Sequence, residues 1–274
     1  MRRYHLFEFN DQPWCPESIR NAALGLLGLV LNTGNHYGSI VPELRQGLEA
    51  TRTGTIVDLC SGGGGPWKSL IRELERTGLR PEVVLTDLFP NLDAFSAAAA
   101  NSTRIRFIPE PVDATAMPPT LTGFRTLFTS FHHFRPEMAR AILADAVRNR
   151  AGIGIFEFTY RMGWPTFVLS VVPAAIGTIL LVLLAMPFVR PFRWKAMLFT
   201  YLIPIIPLAA IWDGTVSCMR TYSPAEMLEM ARSVSGDDEY EWSAGLKRTW
   251  SSFMPVSYLV GVPRAVEDPS NKNQ

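Results

Sequence analysis

Two adjacent histidines and one glutamate are the side chains of this sequence best suited to proton transfer. His132 and His133 lie in the segment TSFHHF, and Glu157 lies in the apolar segment GIGIFEFT. An imidazole or a buried carboxylate can take a proton from a reacting group near neutral pH. The sequence therefore predicts these three residues as catalytic candidates. Because the histidines are adjacent, we expect their rings to point in different directions.

Each candidate also has a structural interpretation. The histidines could instead position substrate or bond to neighbouring backbone, and Glu157 could form an ion pair with Arg161 or Arg220. Asp213, Arg220 and Tyr222 follow an apolar run in the segment WDGTVSCMRTYSPAEM, and we predict them as substrate contacts. The alternative for Asp213 and Arg220 is a salt bridge with each other.

A glycine-rich turn follows the short apolar segment TIVDLC. Residues 61–65 read SGGGG, shortly after Asp58. Glycine permits unusual backbone angles and lets a ligand approach the backbone, and the N–H groups of a following helix can face the ligand's polar part. The pattern predicts a nucleotide-like ligand, with a purely structural turn as the alternative.

Further acidic residues follow the next two predicted strands. Asp87 comes directly after EVVLT, where a carboxylate can accept hydrogen bonds from ribose hydroxyls. Asp113 and Ala114 follow the third strand, where they could contact an adenine edge. The GxxxxGK[ST] phosphate-binding motif is absent from the sequence, so we do not expect a triphosphate ligand.

The overall composition excludes some partners and sites. The 274 residues carry 26 Lys and Arg against 25 Asp and Glu, a formal net charge of +1, so no nucleic-acid partner is indicated. The three cysteines and four histidines lack the spacing of a ligand set, so we predict no metal site and a reducing compartment. The start, MRRYHLFEFN, lacks the apolar core of a secretory signal. The segment FEFNDQPWCP is expected to form a lid strand or cap over the nucleotide-like ligand.

The elements that must position these residues alternate between short apolar strands and amphipathic helices. Such alternation is typical of βαβ units and a parallel sheet. We predict two helices within 16–50 and a helix after each of the first, second and fourth strands. SPAEMLEMARSV begins a last helix with a capping box. The predicted strands are 55–60, 82–87, 104–114, 125–134, 152–159, 239–248 and 255–263.

Two uncharged apolar runs, 164–189 and 196–212, interrupt this alternation and are separated by RPFRWK. A helix needs about 20 apolar residues to cross a bilayer, and only the first run is clearly long enough. Both runs contain proline, so neither need form a straight helix. We favour a re-entrant or interfacial hairpin whose basic loop returns to anionic headgroups. A full span and a soluble dimerisation or lid element are the alternatives.

The segments VDLCSGGGG, VVLTDLFP, PVDATAMP and LFTSFHHF resemble, in order and spacing, the motif series of class I S-adenosylmethionine-dependent methyltransferases. The resemblance covers roughly residues 50–160, and the closing helix and strands extend it to about residue 262. The family's D-x-G-x-G-x-G pattern has cysteine here in place of its first glycine. The resemblance implies S-adenosylmethionine as cofactor and assigns contacts with it to Asp58, Cys60, Ser61, Gly62, Gly64, Asp87, Leu88, Asp113, Ala114 and Ser130.

The expected fold is therefore an α/β Rossmann-like three-layer sandwich with a mostly parallel seven-stranded sheet and an inserted apolar helical hairpin. We expect a helical cap over 1–50, a methyltransferase domain over 51–163 and 213–264, the hairpin over 164–212 and a disordered tail over 265–274. The expected function is methylation of an apolar small molecule or lipid at the cytoplasmic face of a membrane. A soluble enzyme that dimerises through the hairpin and a non-catalytic membrane scaffold are the alternatives.

Overall fold

The computed structural model describes residues 2–248 and 255–264, and seven strands within them form one sheet. The sheet order is β3-β2-β1-β4-β5-β7-β6, in which β7 runs antiparallel to both neighbours and the other pairings are parallel. This confirms the predicted mostly parallel seven-stranded sheet. The strands are β1 (Thr55–Leu59), β2 (Glu82–Leu85), β3 (Ile105–Phe107), β4 (Phe124–Phe128), β5 (Ile153–Glu157), β6 (Tyr240–Lys247) and β7 (Val256–Pro263).

Helices cover both faces of the sheet and make the three layers. The helices are α1 (Glu17–Thr33), α2 (Val41–Thr51), α3 (Trp67–Arg76), α4 (Leu92–Ala100), α5 (Pro136–Arg148), α6 (Trp164–Ala185), α7 (Trp194–Met197), α8 (Ile205–Arg220) and α9 (Pro224–Arg232). Residues of α2, α3 and α4 share one buried core with the sheet, and residues of α5 and α9 share the other. Every residue of β4 and β5 is buried; β5 is apolar up to Glu157, whereas β4 also buries Arg125, which pairs with Asp145 at 2.7 Å.

Local signals placed several helix ends correctly. Ser223 caps α9 through its hydroxyl, and the Glu226 carboxylate accepts the Ser223 N–H at 2.7 Å, which completes the predicted capping box. Gly78 ends the α3 segment with a φ of +85°.

The fourth strand is shorter than the predicted 125–134. It ends at Phe128, Thr129 adopts a φ of +48°, and the histidines then lie on a single 3₁₀ turn, Phe131–His133. A left-handed residue cannot continue an extended strand. The third strand likewise ends at Phe107, well before residue 114.

The apolar insertion consists of α6, a short connection, α7 with a π-helical turn, and α8. The second run is bent by 82° between Trp194–Leu202 and Ile205–Arg220, and Pro204 lies in the break. The expected boundary at residue 212 falls inside a helix, because α8 continues without interruption to Arg220. One helix therefore links the apolar surface to polar residues at the sheet edge.

One helix, Trp164–Phe188, is long and apolar enough to cross a membrane by length and composition, and only 11% of its most apolar stretch is buried. Its far end does not project from the domain. Val182, Met186 and Val189 pack with residues of α1, and Arg193 donates to Asp93 of α4 at 2.8 Å. The hairpin therefore lies along the globular part of the chain.

The N-terminal segment, residues 2–16, is largely extended, and the helices of the expected cap begin only at Glu17. Its one regular element is a 3₁₀ turn, Phe9–Asp11, so the expected lid strand does not form there. The segment runs along α8, where the Trp212 Nε1–H donates to the Phe7 carbonyl at 2.9 Å. The expected disordered tail, 265–274, lies outside the described residues.

Candidate active site

The glycine-rich turn after β1 contains several residues with left-handed backbone conformation. Cys60 has a φ of +55°, Gly62 of +49°, Gly64 of +95° and Gly65 of +65°. Gly63 is different, because a Cβ there would lie 2.6 Å from the Leu24 carbonyl oxygen of α1. The run of glycines therefore serves two purposes: backbone angles that glycine favours, and close packing of α1 on the turn.

Asp58, at the end of β1, is buried and fully hydrogen-bonded. Its Oδ1 accepts from the Thr126 hydroxyl at 2.7 Å, and its Oδ2 accepts from the Ser61 hydroxyl at 2.8 Å. Burial raises the pKa of Asp58 to about 6, although these hydrogen bonds oppose the shift. Among the described residues, no salt bridge includes Asp58. When Asp58 is ionised, no basic side chain in the described part of the chain neutralises its buried charge.

Asp87, beyond the end of β2, joins the glycine turn to the neighbouring strand. Its Oδ2 accepts from the Gly62 N–H at 2.9 Å and its Oδ1 accepts from the Phe89 N–H at 2.9 Å. Burial raises its pKa, which those backbone donors partly offset. The Val112 N–H donates to the Asp87 carbonyl at 2.8 Å, so the loop after β3 lies against the same residue.

The other predicted cofactor residues surround these two acids. Burial, followed by the charges of Asp87, Asp58 and Asp113, raises the pKa of the Cys60 thiol well above its usual value. Ala114 is buried, Leu88 is exposed, and the buried Ser130 hydroxyl has no hydrogen-bond partner in the described part of the chain. Three carboxylates near one thiol and one unsatisfied hydroxyl fit a ligand that is polar and positively charged.

His132 and Glu157 form a buried pair where β4 and β5 end. The His132 Nδ1–H donates to Glu157 Oε2 at 2.6 Å, and Glu157 Oε1 accepts from the Phe131 N–H at 2.7 Å. Burial raises the pKa of Glu157, but the charge and hydrogen bond of His132 outweigh it and lower that pKa overall.

The expected arginine partners of Glu157 are elsewhere. Arg161 donates to Glu226 at 2.5 Å, and Arg220 donates to Glu8 at 3.0 Å and to Asp11. That interpretation is therefore wrong, because β5 aims the Glu157 side chain at the 3₁₀ turn rather than at either arginine.

The two histidine rings do not diverge as the sequence suggested. Their centroids lie 4.3 Å apart with 34° between the ring planes, although the two residues are adjacent on the 3₁₀ turn. The His133 Nδ1–H donates to Asp11 at 2.8 Å. Burial opposes a charge on His133, but this hydrogen bond and the charges of Glu8 and Asp11 raise its pKa to about 9.

The predicted substrate contacts hold the N-terminal segment. Asp213 accepts from the Phe9 N–H at 2.7 Å, and burial raises its pKa to about 6. The alternative salt bridge between Asp213 and Arg220 is wrong, because Arg220 donates to Glu8 and Asp11 while Asp213 accepts from backbone N–H groups. The Tyr222 hydroxyl donates to the Phe134 carbonyl at 2.9 Å, which is a structural contact.

Sequence reasoning missed the acidic residues of the N-terminal segment. Glu8 is 2% exposed, and its carboxylate faces His132 Nε2 at 3.9 Å and His133 Nδ1 at 3.8 Å. Ligand atoms of these three residues all lie within 4.8 Å of one another. The sequence spacing predicts no ligand set at the histidines, whereas the fold brings these three side chains within ligand distance of one another. Nothing in the spacing signals this set, because Glu8 is remote from the histidines in sequence.

Comparison with known proteins finds similarity in structure but not in sequence. No protein-family profile and no curated protein matches the chain. The plantazolicin methyltransferase BpumL, solved with SAH, superposes with a TM-score of 0.54 at 9% identity over 93% of each chain. The O-methyltransferase NcsB1 from neocarzinostatin biosynthesis, solved with S-adenosylmethionine and a naphthoic acid, gives 0.51 at 15% identity.

The NcsB1 match covers 90% of this chain but only 59% of NcsB1, so this chain spans well under two thirds of that protein's length. At such identities the likeness concerns the fold. Together with the 3-2-1-4-5-7-6 strand order, it shows that the chain has the Rossmann-like fold of class I S-adenosylmethionine-dependent methyltransferases.

Proposed function

We propose that this protein is an S-adenosylmethionine-dependent methyltransferase whose acceptor is an apolar molecule drawn from a membrane surface. The observation that carries the first part is the contact of Asp58 and Asp87 with the glycine turn, where the ends of β1 and β2 meet the loop after β3. S-adenosylmethionine bears a sulfonium, an ammonium and a carboxylate, and hence a net positive charge. Ligands of doubly wound α/β folds bind at this carboxyl edge of the sheet.

The cofactor roles follow from the position of each acid. Asp87 stands where ribose hydroxyls can donate to it, while the glycine turn and Asp58 line the methionine end. Asp113 and Ala114 face the adenine. The cofactor supplies a methyl group that is already activated, so the chain's own residues have to orient the acceptor, exclude water and take any proton that is released.

The acceptor side has groups suited to a molecule with an ionisable hydroxyl. His132 and His133 lie beside the end of β4, each with a carboxylate on its Nδ1. The N-terminal segment covers them, since His132 is only 1% exposed. An acceptor therefore enters by displacing part of residues 2–16, which makes this segment the cover of the acceptor site.

The apolar hairpin supports a membrane source for the acceptor. Large apolar residues are exposed along the whole of α6, including Leu169 at 78% and Leu184 at 71%. Trp164, Trp194 and Trp212 are partly or fully exposed at the ends of the two runs, where aromatic residues favour a membrane interface. An exposed apolar patch of this length indicates a site of interaction with another protein or with a membrane.

Of the possible environments for this apolar surface, a position at the membrane interface fits the contacts of the hairpin best. Both ends of α6 stay with the globular part, and the connection between the runs is basic. A full span would carry the Val182–Val189 end across the bilayer and away from α1. We therefore place the hairpin in one leaflet on the cytoplasmic face, with its basic connection at anionic headgroups.

Calorimetric titration tests the cofactor assignment. S-adenosylmethionine and S-adenosylhomocysteine should bind the wild type, and Asp87→Ala should weaken both roughly ten- to a hundredfold through loss of charge-assisted hydrogen bonds. The matched control is Asp238→Ala, an exposed acid remote from the turn, which should bind as the wild type does. Folded wild-type protein that binds neither compound, with lipid supplied, would refute the proposal and favour a scaffold role.

A further inference from the structure

Glu8, His132 and His133 form a compact set of metal-ligand types where the N-terminal segment meets the sheet edge. Their ligand atoms lie within 4.8 Å of one another, and the Glu8 and His132 side chains are almost completely buried. Two imidazoles and one carboxylate are a common ligand set for divalent transition metals with open coordination positions. The set is separate from the acids that line the cofactor cleft.

The hydrogen bonds around the histidines match the second shell of a metal site. Glu157 accepts from His132 Nδ1 at 2.6 Å, and Asp11 accepts from His133 Nδ1 at 2.8 Å. Carboxylates on Nδ1 fix the tautomer, orient the ring and leave Nε2 as the ligand atom. Metal-binding histidines almost always have such a partner.

One ring nitrogen of His132 lies inside this cluster without a hydrogen bond from the described residues. His132 Nε2 is buried and has no hydrogen-bond partner among the described residues, although the Glu8 carboxylate faces it at 3.9 Å. With Nδ1 donating to Glu157, Nε2 presents a lone pair toward an anion. Two buried electron-pair donors that face each other repel unless a proton or a metal cation lies between them, and at 3.9 Å the gap is longer than a hydrogen bond.

The charges of the cluster also accommodate a divalent ion. Three carboxylates (Glu8, Asp11 and Glu157) surround the two imidazoles, which a bound metal would hold in their neutral form, and Arg220 compensates one of the carboxylates by donating to Glu8 and Asp11. A divalent cation would balance the remaining two charges. Arg220 therefore acts mainly on the carboxylates, although its Nη1 also lies 3.4 Å from His133 Nδ1.

We propose that His132 Nε2, a ring nitrogen of His133 and the Glu8 carboxylate bind a divalent transition metal, Zn²⁺ by ligand preference, with a coordination position open to an acceptor oxygen. A metal-bound hydroxyl loses its proton to water more readily, and the oxygen is then held as an anion beside the cofactor cleft. This role rests on the proposed function, whereas metal binding itself does not. It makes oxygen the atom that is methylated.

Metal titration of the full-length protein tests the site. After removal of metal with a chelator, the wild type should bind one equivalent of Zn²⁺, and Co²⁺ should give the intense visible absorption of a tetrahedral or five-coordinate site. His133→Ala and Glu8→Gln should each weaken Zn²⁺ binding by at least about tenfold. His36→Gln is the control, because His36 stacks on Phe158 and lies outside the set.

Glu157→Gln separates a second-shell role from a purely structural one. It keeps the shape of the side chain beside the Phe131 N–H but weakens the acceptor for His132 Nδ1–H. Zn²⁺ affinity should fall about 10- to 100-fold, while S-adenosylmethionine affinity stays unchanged.

The outcomes separate this inference from the proposed function. Wild-type protein that binds S-adenosylmethionine but shows no Co²⁺ absorption, or binds Zn²⁺ as tightly in the variants as in the wild type, overturns the metal site alone. Protein that binds Zn²⁺ through these residues but not the cofactor overturns the methyltransferase proposal alone. The Co²⁺ spectrum needs only the wild type, so the test stands even if a variant fails to fold.

Discussion

The cofactor side and the acceptor side of this molecule are built in different ways. The cofactor side is assembled from short loops that follow consecutive strands, so Asp58, Ser61 and Asp87 meet through neighbours in one sheet. The acceptor side joins an extended N-terminal segment, a 3₁₀ turn after β4 and the end of α8. A side chain in the first region depends on its own strand, whereas a side chain in the second depends on distant parts of the chain.

This difference predicts unequal responses to mutation. On the acceptor side, one buried charge holds several segments, and its loss should affect the whole molecule. On the cofactor side, backbone geometry dominates, and single changes should act locally. The five experiments that follow can break or sharpen this contrast.

Arg220→Met should have the largest effect. Arg220 is 3% exposed and donates to Glu8, Asp11 and the Leu6 carbonyl, so its loss leaves buried carboxylates uncompensated. The free energy of unfolding should fall by about 3–5 kcal/mol in a urea titration. Arg72→Met, at an exposed site on α3, should change it by less than about 0.5 kcal/mol. Equal small losses in both would mean that the acceptor cluster does not hold the N-terminal segment.

The basic connection of the hairpin should bind anionic lipid headgroups. A triple variant in which Arg190, Arg193 and Lys195 are changed to Ala should bind anionic vesicles more weakly, by about 1 kcal/mol for each residue that contacts the headgroups. Co-sedimentation with vesicles that contain anionic lipid measures this, and neutral vesicles serve as the reference. Cofactor affinity should not change, because the hydrogen bonds of Arg190 and Arg193 go to Pro187, Val189 and Asp93 and none goes to the glycine turn. Loss of cofactor binding would show that the two regions are coupled, while a vesicle-independent stable dimer would favour the soluble alternative.

Gly63→Ala should cost roughly 1–3 kcal/mol of stability, because the new Cβ would lie 2.6 Å from the Leu24 backbone oxygen. Gly54→Ala is the matched control, since a Cβ at Gly54 meets nothing within 4 Å. Thermal unfolding compares the two variants. If Gly63→Ala were as stable as the control but bound cofactor poorly, this glycine would serve the ligand and not the packing of α1.

The smallest expected effect is a pH dependence of cofactor binding. Burial raises the pKa of Asp58 to about 6, so the carboxyl is mostly protonated at pH 5 and ionised at pH 7. S-adenosylmethionine, which is cationic at sulfur, should therefore bind about tenfold more tightly at pH 7 than at pH 5. Asp58→Asn should abolish that dependence, and the uncharged sulfur of S-adenosylhomocysteine should reduce it.

The raised pKa of Asp58 also makes the stability of the ligand-free protein depend on pH. A carboxyl whose folded pKa is raised binds its proton more tightly in the folded state, so this contribution to stability is present at low pH. It is lost as the pH rises from the ordinary value of 3.8 through about 6. Urea titrations of the wild type and Asp58→Asn at several pH values should diverge over that interval.

Local patterning was sufficient to predict most of the fold from the sequence. Buried parallel strands need continuous apolar runs, helices need an apolar face, and the Ser223 capping box needs only four residues. These are short-range constraints. For that reason the seven strands, their mostly parallel sheet and the acids at its carboxyl edge were all expected before the structure was known. The strand ends at Phe107 and Phe128 were not, because single backbone angles decide them.

Only the tertiary structure decided the partners of the functional side chains. Whether Arg220 pairs with Asp213 or with Glu8, and whether the two histidines diverge, depends on where α8, the 3₁₀ turn and the N-terminal segment pack. No sequence period records a contact between residues more than 100 positions apart. The sequence by itself determined the scaffold and its cofactor edge, because those follow from local burial and turn geometry. The acceptor cluster was decided by packing, because its charges come from segments that meet only in the folded chain.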